Sequence, residues 1–190
     1  MPVSARDVAA VLRDRLPGLS TTKLHKLLYY CQGHHLTAFG VPLFSESIMA
    51  WDMGPVVSTL WAEEKYANRI PDASLLPREL DEAELNTIGY VVSRYGKLSA
   101  GDLIRLTHGE DPWQAADGMR KVTGEKSVKI EPDWIRKCFQ DKEAEDAKEE
   151  RPQVDQEALD EWLAKAHAQR DRPRQRDSRE EFLARLADIG

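Results

Sequence analysis

Lys23-Leu24-His25-Lys26-Leu27-Leu28-Tyr29-Tyr30-Cys31-Gln32-Gly33-His34-His35-Leu36 is the stretch on which the fold turns. Leu24, Leu27, Leu28, Cys31 and His35 recur at three- and four-residue steps, the period of an α-helix with one apolar face. Thr21 or Thr22 supplies the cap at its start, and Gly40-Val41-Pro42 stops it. Gly33 inside this pattern costs about 1 kcal/mol relative to alanine. That cost predicts a close approach by a neighbouring backbone.

Upstream, Ser4 followed by Asp7 starts a first helix with Val8, Val11 and Leu12 on its apolar face, ended by Pro17-Gly18. Downstream, Ser47 to Asp52 reads as a short strand, Ile48 and Ala50 on one face and Met49 and Trp51 on the other. Gly54-Pro55 reads as a strand-to-helix junction, because proline at the first helical position gives up only an amide that has no partner there. The helix so opened carries Val56, Val57, Leu60, Trp61 and Tyr66, and Ile70 to Leu80 forms an exposed loop.

Asp81 with Glu84 starts a helix bearing Leu85, Ile88, Val91, Val92 and Tyr95, closed by Gly96. Ser99 with Asp102 starts another, carrying Leu103, Ile104 and Leu106 and closed by Gly109. Pro112-Trp113 opens a short helix, Ser127 to Ile130 a second brief strand, and Asp133 a helix with Trp134, Ile135 and Cys138. The sum is a mainly α, compact multi-helix domain with a small two-stranded β element.

Charge divides the chain. Residues 141–190 hold ten Lys or Arg against fifteen Asp or Glu, so half of that stretch is charged, whereas residues 1–140 are nearly balanced at seventeen against eighteen. A segment so polar cannot sustain a core alone, which predicts a domain over 1–140 and a charged helical extension over 141–190, ordered on partner binding. Two amphipathic units in the extension present Leu159, Trp162 and Leu163, then Phe182, Leu183 and Leu186. Helices this short are marginal in water, so these six residues are candidate partner contacts, the alternative being that they pack back on the domain. No apolar run approaches the roughly 20 residues that span a bilayer, and no secretory signal opens the chain, so no membrane is expected and a cytoplasmic location is. Cys31 and Cys138 read as reduced thiols in that compartment.

Three segments also share a pattern that helix propensity does not ask for. The first is the opening stretch, where Lys23, Leu27, Tyr30, Gln32 and Gly33 stand out. The second is Ala50-Trp51-Asp52-Met53-Gly54-Pro55-Val56-Val57, with Trp51, Gly54 and Pro55. The third leads from Leu98 into Thr107-His108-Gly109-Glu110-Asp111-Pro112-Trp113, with Thr107, His108, Pro112 and Trp113. In order and spacing these resemble the SocA-like antitoxin family built on the Panacea domain, over about residues 4–140. The chain departs from the family pattern at His34, where a large aromatic is more usual, and at Cys31, where a small residue is. The resemblance implies a type II toxin-antitoxin role in a bacterium or phage: binding and neutralising a cognate protein toxin, with no catalysis. A proteolytic adaptor, delivering a partner to a protease, is the alternative.

The residues offer little to other functions. His25, His34, His35 and His108 invite a metal, but His34 and His35 diverge by about 100° on a helix and no zinc-type pattern accompanies them, so neither metal nor cofactor is expected. Trp51, Asp52 and His108 could pose as a hydrolytic set, yet no serine or cysteine sits on a nucleophile turn. The reading is of no enzyme; His108 instead meets free carbonyls at its helix end, and Trp51, Trp61 and Trp113 anchor the scaffold. A net charge of −6 without a long basic face argues against nucleic acid. The five arginines of 170–179 read as a solvated linker, and self-association stays open.

Overall fold

The computed structural model describes residues 3–66 and 79–149. The chain divides into two compact units, Met1–Asp146 and Ala147–Gly190. Most of the Ile70–Leu80 loop, the 170–179 linker and all six candidate contacts from Leu159 to Leu186 lie outside the described residues.

In chain order the first unit runs α1 (Ala5–Arg15), α2 (Thr21–Phe39), β1 (Ile48–Trp51), β2 (Gly54–Val57), α3 (Ser58–Tyr66), α4 (Glu82–Tyr95), α5 (Ala100–His108), α6 (Asp111–Thr123), β3 (Val128–Lys129) and α7 (Pro132–Glu149). The mainly α class holds. The helix starts with the clearest local chemistry fall where the sequence puts them: Ser4 with Asp7, Asp81 with Glu84 and Ser99 with Asp102 each form a reciprocal capping box. Helix α2 differs by a residue, since Ser20, not Thr21 or Thr22, accepts the bond from the Lys23 amide.

Helix α2 also differs in kind. It packs against α1, α4, α5 and β2, and twelve of its residues from Leu24 to Leu36 are buried, so the expected single stripe becomes a helix surrounded on all sides. Gly33 is needed for this, through a side chain and not the expected backbone: a Cβ there would stand 2.5 Å from the Phe139 ring of α7. Gln32 spends its whole amide on one connection. Its Nε2 donates to the Phe44 carbonyl at 3.1 Å, and its Oε1 accepts from the Leu43 and Phe44 amides at 3.0 and 3.2 Å.

The sheet has three strands in the order β2-β1-β3, all antiparallel. The added strand is Gly54–Val57, read from sequence as the start of a helix. Ile48 pairs with Val57 and Trp51 with Gly54, and α3 begins only at Ser58. Pro55 is tolerated because β2 is an edge, where a missing amide breaks no ladder.

The far half of α7 is tied back to the domain. Lys142 pairs with Glu110, His34 Nδ1 lies 3.6 Å from Glu143, and Arg94 meets Asp146 at 2.7 Å. The division at residue 140 is therefore proposed in a form that truncation tests. A chain ending at Gln140 is expected to melt cooperatively, but about 5 °C below one ending at Asp146, because losing Lys142 leaves the Glu110 carboxylate buried without its cation, about 2 kcal/mol. Loss of the cooperative transition in both would show that the first unit does not fold alone.

Candidate functional site

The three motif segments meet at one place. Lys26, one turn after Lys23 on α2, is 1% exposed, and its Nζ donates to the Pro55 carbonyl at 3.0 Å. Gly54, at φ +100°, lies directly over that side chain: a Cβ would stand 2.6 Å from Lys26 Cε and 3.0 Å from Thr107 Oγ1. Thr107, fully buried on α5, turns its hydroxyl to the Leu103 carbonyl at 2.9 Å. Trp113 completes the junction. Its Nε1 donates to the Trp51 carbonyl at 3.2 Å, and its ring stacks on His108 with centroids 3.9 Å apart and planes 12° apart. The hairpin turn is fastened to α6 beside it, where Arg120 bridges Asp52 and the buried Asp117.

One expectation for these residues is corrected. His108 does not use its ring on free carbonyls: Nε2 has no hydrogen-bond partner, and the imidazole serves as a flat surface for Trp113. Trp51 and Trp61 are half-buried and meet edge to face at 5.1 Å, while Trp113, 8% exposed, is the one of the three that enters the core. Lys23 stands apart from the junction, capping the end of α4 by donating to the Gly96 carbonyl at 2.6 Å. Tyr30 and Gln32 also face other neighbours, Glu110 and the Phe44 segment.

The electrostatics are those of a dry interior. Burial brings Lys26 down to about 8. Burial and the adjacent Lys26 charge bring His25 down to about 4, so its imidazole is neutral and its Nδ1 is free to accept the Val57 amide at 3.3 Å. Burial, then Lys26, also lowers His108. The Cys31 thiol is pushed far up by burial and is inert. Cys138 is likewise a free thiol.

Sequence reasoning missed Lys26 as the centre of this arrangement. The signal was there: a lysine between Leu24 and Leu27-Leu28, on a segment with too many large apolar residues for any face to reach water. What the junction can do chemically is limited by access. No group of three His, Cys, Asp or Glu side chains among the described residues could hold a metal ion. Nor is any helix among them long and apolar enough to cross a membrane.

The family described as antitoxin SocA-like, Panacea domain, matches residues 24–114, which take in the three motif segments apart from Lys23. Antitoxin SocA of Caulobacter vibrioides (strain NA1000 / CB15N) is 32% identical over 131 residues, covering 58% of this chain and 69% of that protein. The chain belongs to the SocA-like antitoxin family. No solved structure matches it. In this SocA-like chain Gly54, Pro55, Thr107 and Trp113 close β2 over a buried lysine and hang the hairpin on α5 and α6.

Proposed function

We propose that this SocA-like chain is a cytoplasmic antitoxin that neutralises a cognate protein toxin by binding it directly, with no reaction of its own. Family membership supports the antitoxin role. The observation that carries the mode of action is the inward orientation of the motif: Thr107 is 0% exposed, Lys26 1%, Gln32 3% and Trp113 8%. Side chains that fill a core cannot meet a partner or substrate, so recognition falls to the surface around them and to the extension.

The charged extension is the proposed seat of specificity. Leu159, Trp162, Leu163, Phe182, Leu183 and Leu186 are large apolar residues in an otherwise polar stretch, and aromatics dominate binding hot spots because they bury much area with few torsions to freeze. Trp162→Ala combined with Phe182→Ala is expected to weaken toxin binding by about 2 kcal/mol or more, roughly 30-fold, with the melting temperature unchanged. Calorimetry beside a thermal melt measures both. Unaltered affinity would move recognition to residues 1–140, and a large fall in melting temperature would mean that the extension packs on its own chain.

The role itself is tested by expressing the protein of the adjacent reading frame with and without this chain. Growth arrest relieved by the chain, and a complex that copurifies, are the expected results. Relief that disappears when an ATP-dependent protease is deleted would replace neutralisation by binding with delivery to that protease.

A further inference from the structure

Two apolar side chains seat α7, and both lie in its first half. Ile135 and Phe139 are each 1% exposed, and the Phe139 ring fills the space that Gly33 leaves open. From Gln140 to Ala147 no residue is buried, and charge holds that stretch to the first unit. Lys142 pairs with Glu110, which stands at the N-cap of α6 but makes no cap bond; its buried carboxylate accepts from the Tyr30 hydroxyl at 3.0 Å instead. Asp146 meets Arg94 at 2.7 Å, both side chains nearly half exposed. Glu143 adds a looser polar contact, 3.6 Å from the Nδ1 of His34, a ring that is uncharged at neutral pH.

Away from the domain this stretch is a poor helix. Asp141, Glu143, Glu145 and Asp146 place negative charge toward the end of α7, where the carbonyl dipoles are already negative. Asp141 and Glu145 are like charges four residues apart, which face each other on a helix. The stretch from 140 to 149 is also shorter than the about 12 residues that a helix needs to stand alone in water. Leaving the domain and losing helical structure are therefore one event. Phe139 is where it stops, because going further would empty the space beside Gly33.

We infer that α7 beyond Phe139 is a strap latched to the first unit by Lys142–Glu110 and Arg94–Asp146, which opens as a unit while Ile135 and Phe139 stay seated. The closed state is the resting one, since opening leaves the buried Glu110 carboxylate without its cation. The two links are unequal: the one to Glu110 has a buried end, whereas the one to Arg94 is exposed at both ends and weak. Opening moves the point at which the chain leaves the first unit from Asp146 back to Phe139, seven residues and up to about 24 Å of extended backbone. On the direct-binding reading, on which this consequence rests, that length sets how far the extension reaches for its toxin.

Amide hydrogen exchange of the full chain at neutral pH, read residue by residue by nuclear magnetic resonance, tests the strap without any toxin, so that its failure and the failure of direct binding are told apart. The amides of 143–147, bonded to the carbonyls of 139–143, are expected to be protected, but less than those of 136–139. Lys142→Met, which keeps the aliphatic stem, is expected to speed exchange of 143–147 about 10-fold or more, and Arg94→Met about twofold to fivefold, with 136–139 unchanged in both. Asp141→Asn removes a carboxylate that belongs to neither link, and is expected to leave 143–147 unchanged or slower. Amides of 143–147 already unprotected in the parent would mean that there is no closed state. Parent-like exchange in Lys142→Met would mean that charge does not hold it, and equal acceleration of 136–139 would mean that α7 moves as one body. Faster exchange of 143–147 in Asp141→Asn would reduce the latch to general loss of helix stability. Each of these four results overturns the strap.

Discussion

Gly54→Val is expected to cost at least about 3 kcal/mol of folding stability and to abolish antitoxin activity through misfolding. Two separate costs add. At φ +100° a β-branched residue is strained whatever space surrounds it, and here there is none, with Lys26 Cε 2.6 Å and Thr107 Oγ1 3.0 Å from the new Cβ. Displacing the Lys26 side chain also takes its ammonium off the Pro55 carbonyl, a bond buried on all sides. Denaturant unfolding measures the loss. A variant as stable as the parent would show that the motif glycine is not held by this contact.

Acid is expected to be nearly as damaging. His25 and His34 sit near 4 in the fold against 6.5 when free, in both cases chiefly because burial penalises the charged ring; nearby cations push the same way, Lys26 and Arg13 at His25, and Arg94 and Lys142 at His34, where Asp146 opposes. Below pH 6.5 the unfolded chain takes up protons that the native chain refuses, so stability falls as the pH drops from 6.5 to 4. At about 1.4 kcal/mol for each pH unit separating the two states, each imidazole accounts for about 3 kcal/mol at the lower end. Protonated His25 would also lose the lone pair that accepts the Val57 amide. His25→Asn, whose side-chain oxygen can accept that bond and does not titrate, is expected to flatten roughly half of the slope. Lys26 acts in the same sense at higher pH. Its native value of about 8 lies below the free 10.5, so stability should rise between pH 8 and 10. Equilibrium unfolding across pH 4 to 10 checks all three, and an unchanged acid slope in His25→Asn would remove that residue from the account.

Legibility in the sequence followed the range of the interaction. The Ser4, Asp81 and Ser99 caps depend on residues three apart, and all three form as read. Gly40 at φ +72° ends α2 for an equally local reason. Gly54-Pro55 was ambiguous because an edge strand and a first helical turn both dispense with the proline amide; only pairing with β1 decides between them. The two-residue turn Asp52-Met53 carries none of the usual asparagine-glycine signal that would have announced a hairpin.

At the site, the motif positions could be named from spacing, but what joins them could not. Periodicity sorts residues by polarity, so it names only the stripe of Leu24, Leu27, Leu28, Cys31 and His35, whereas Lys26, His25 and Gln32 are buried as well. Each of the three was kept inside by a long-range partner: Pro55, Val57 and the Phe44 segment, eleven to thirty-two positions away. Glu110 was hidden for a related reason. Its place at a helix start suggests a cap, and only the fold brings Tyr30 near enough to divert it.

Direct binding on a surface scaffolded by the buried motif is the centre of this account, and titration of the purified adjacent-frame protein into the purified full chain in a calorimeter tests it most directly. The account predicts a saturable, stoichiometric complex with micromolar affinity or tighter, about 8 kcal/mol or more of binding free energy. No heat and no complex at concentrations well above that range, from a chain that melts cooperatively and still relieves growth arrest, would contradict it.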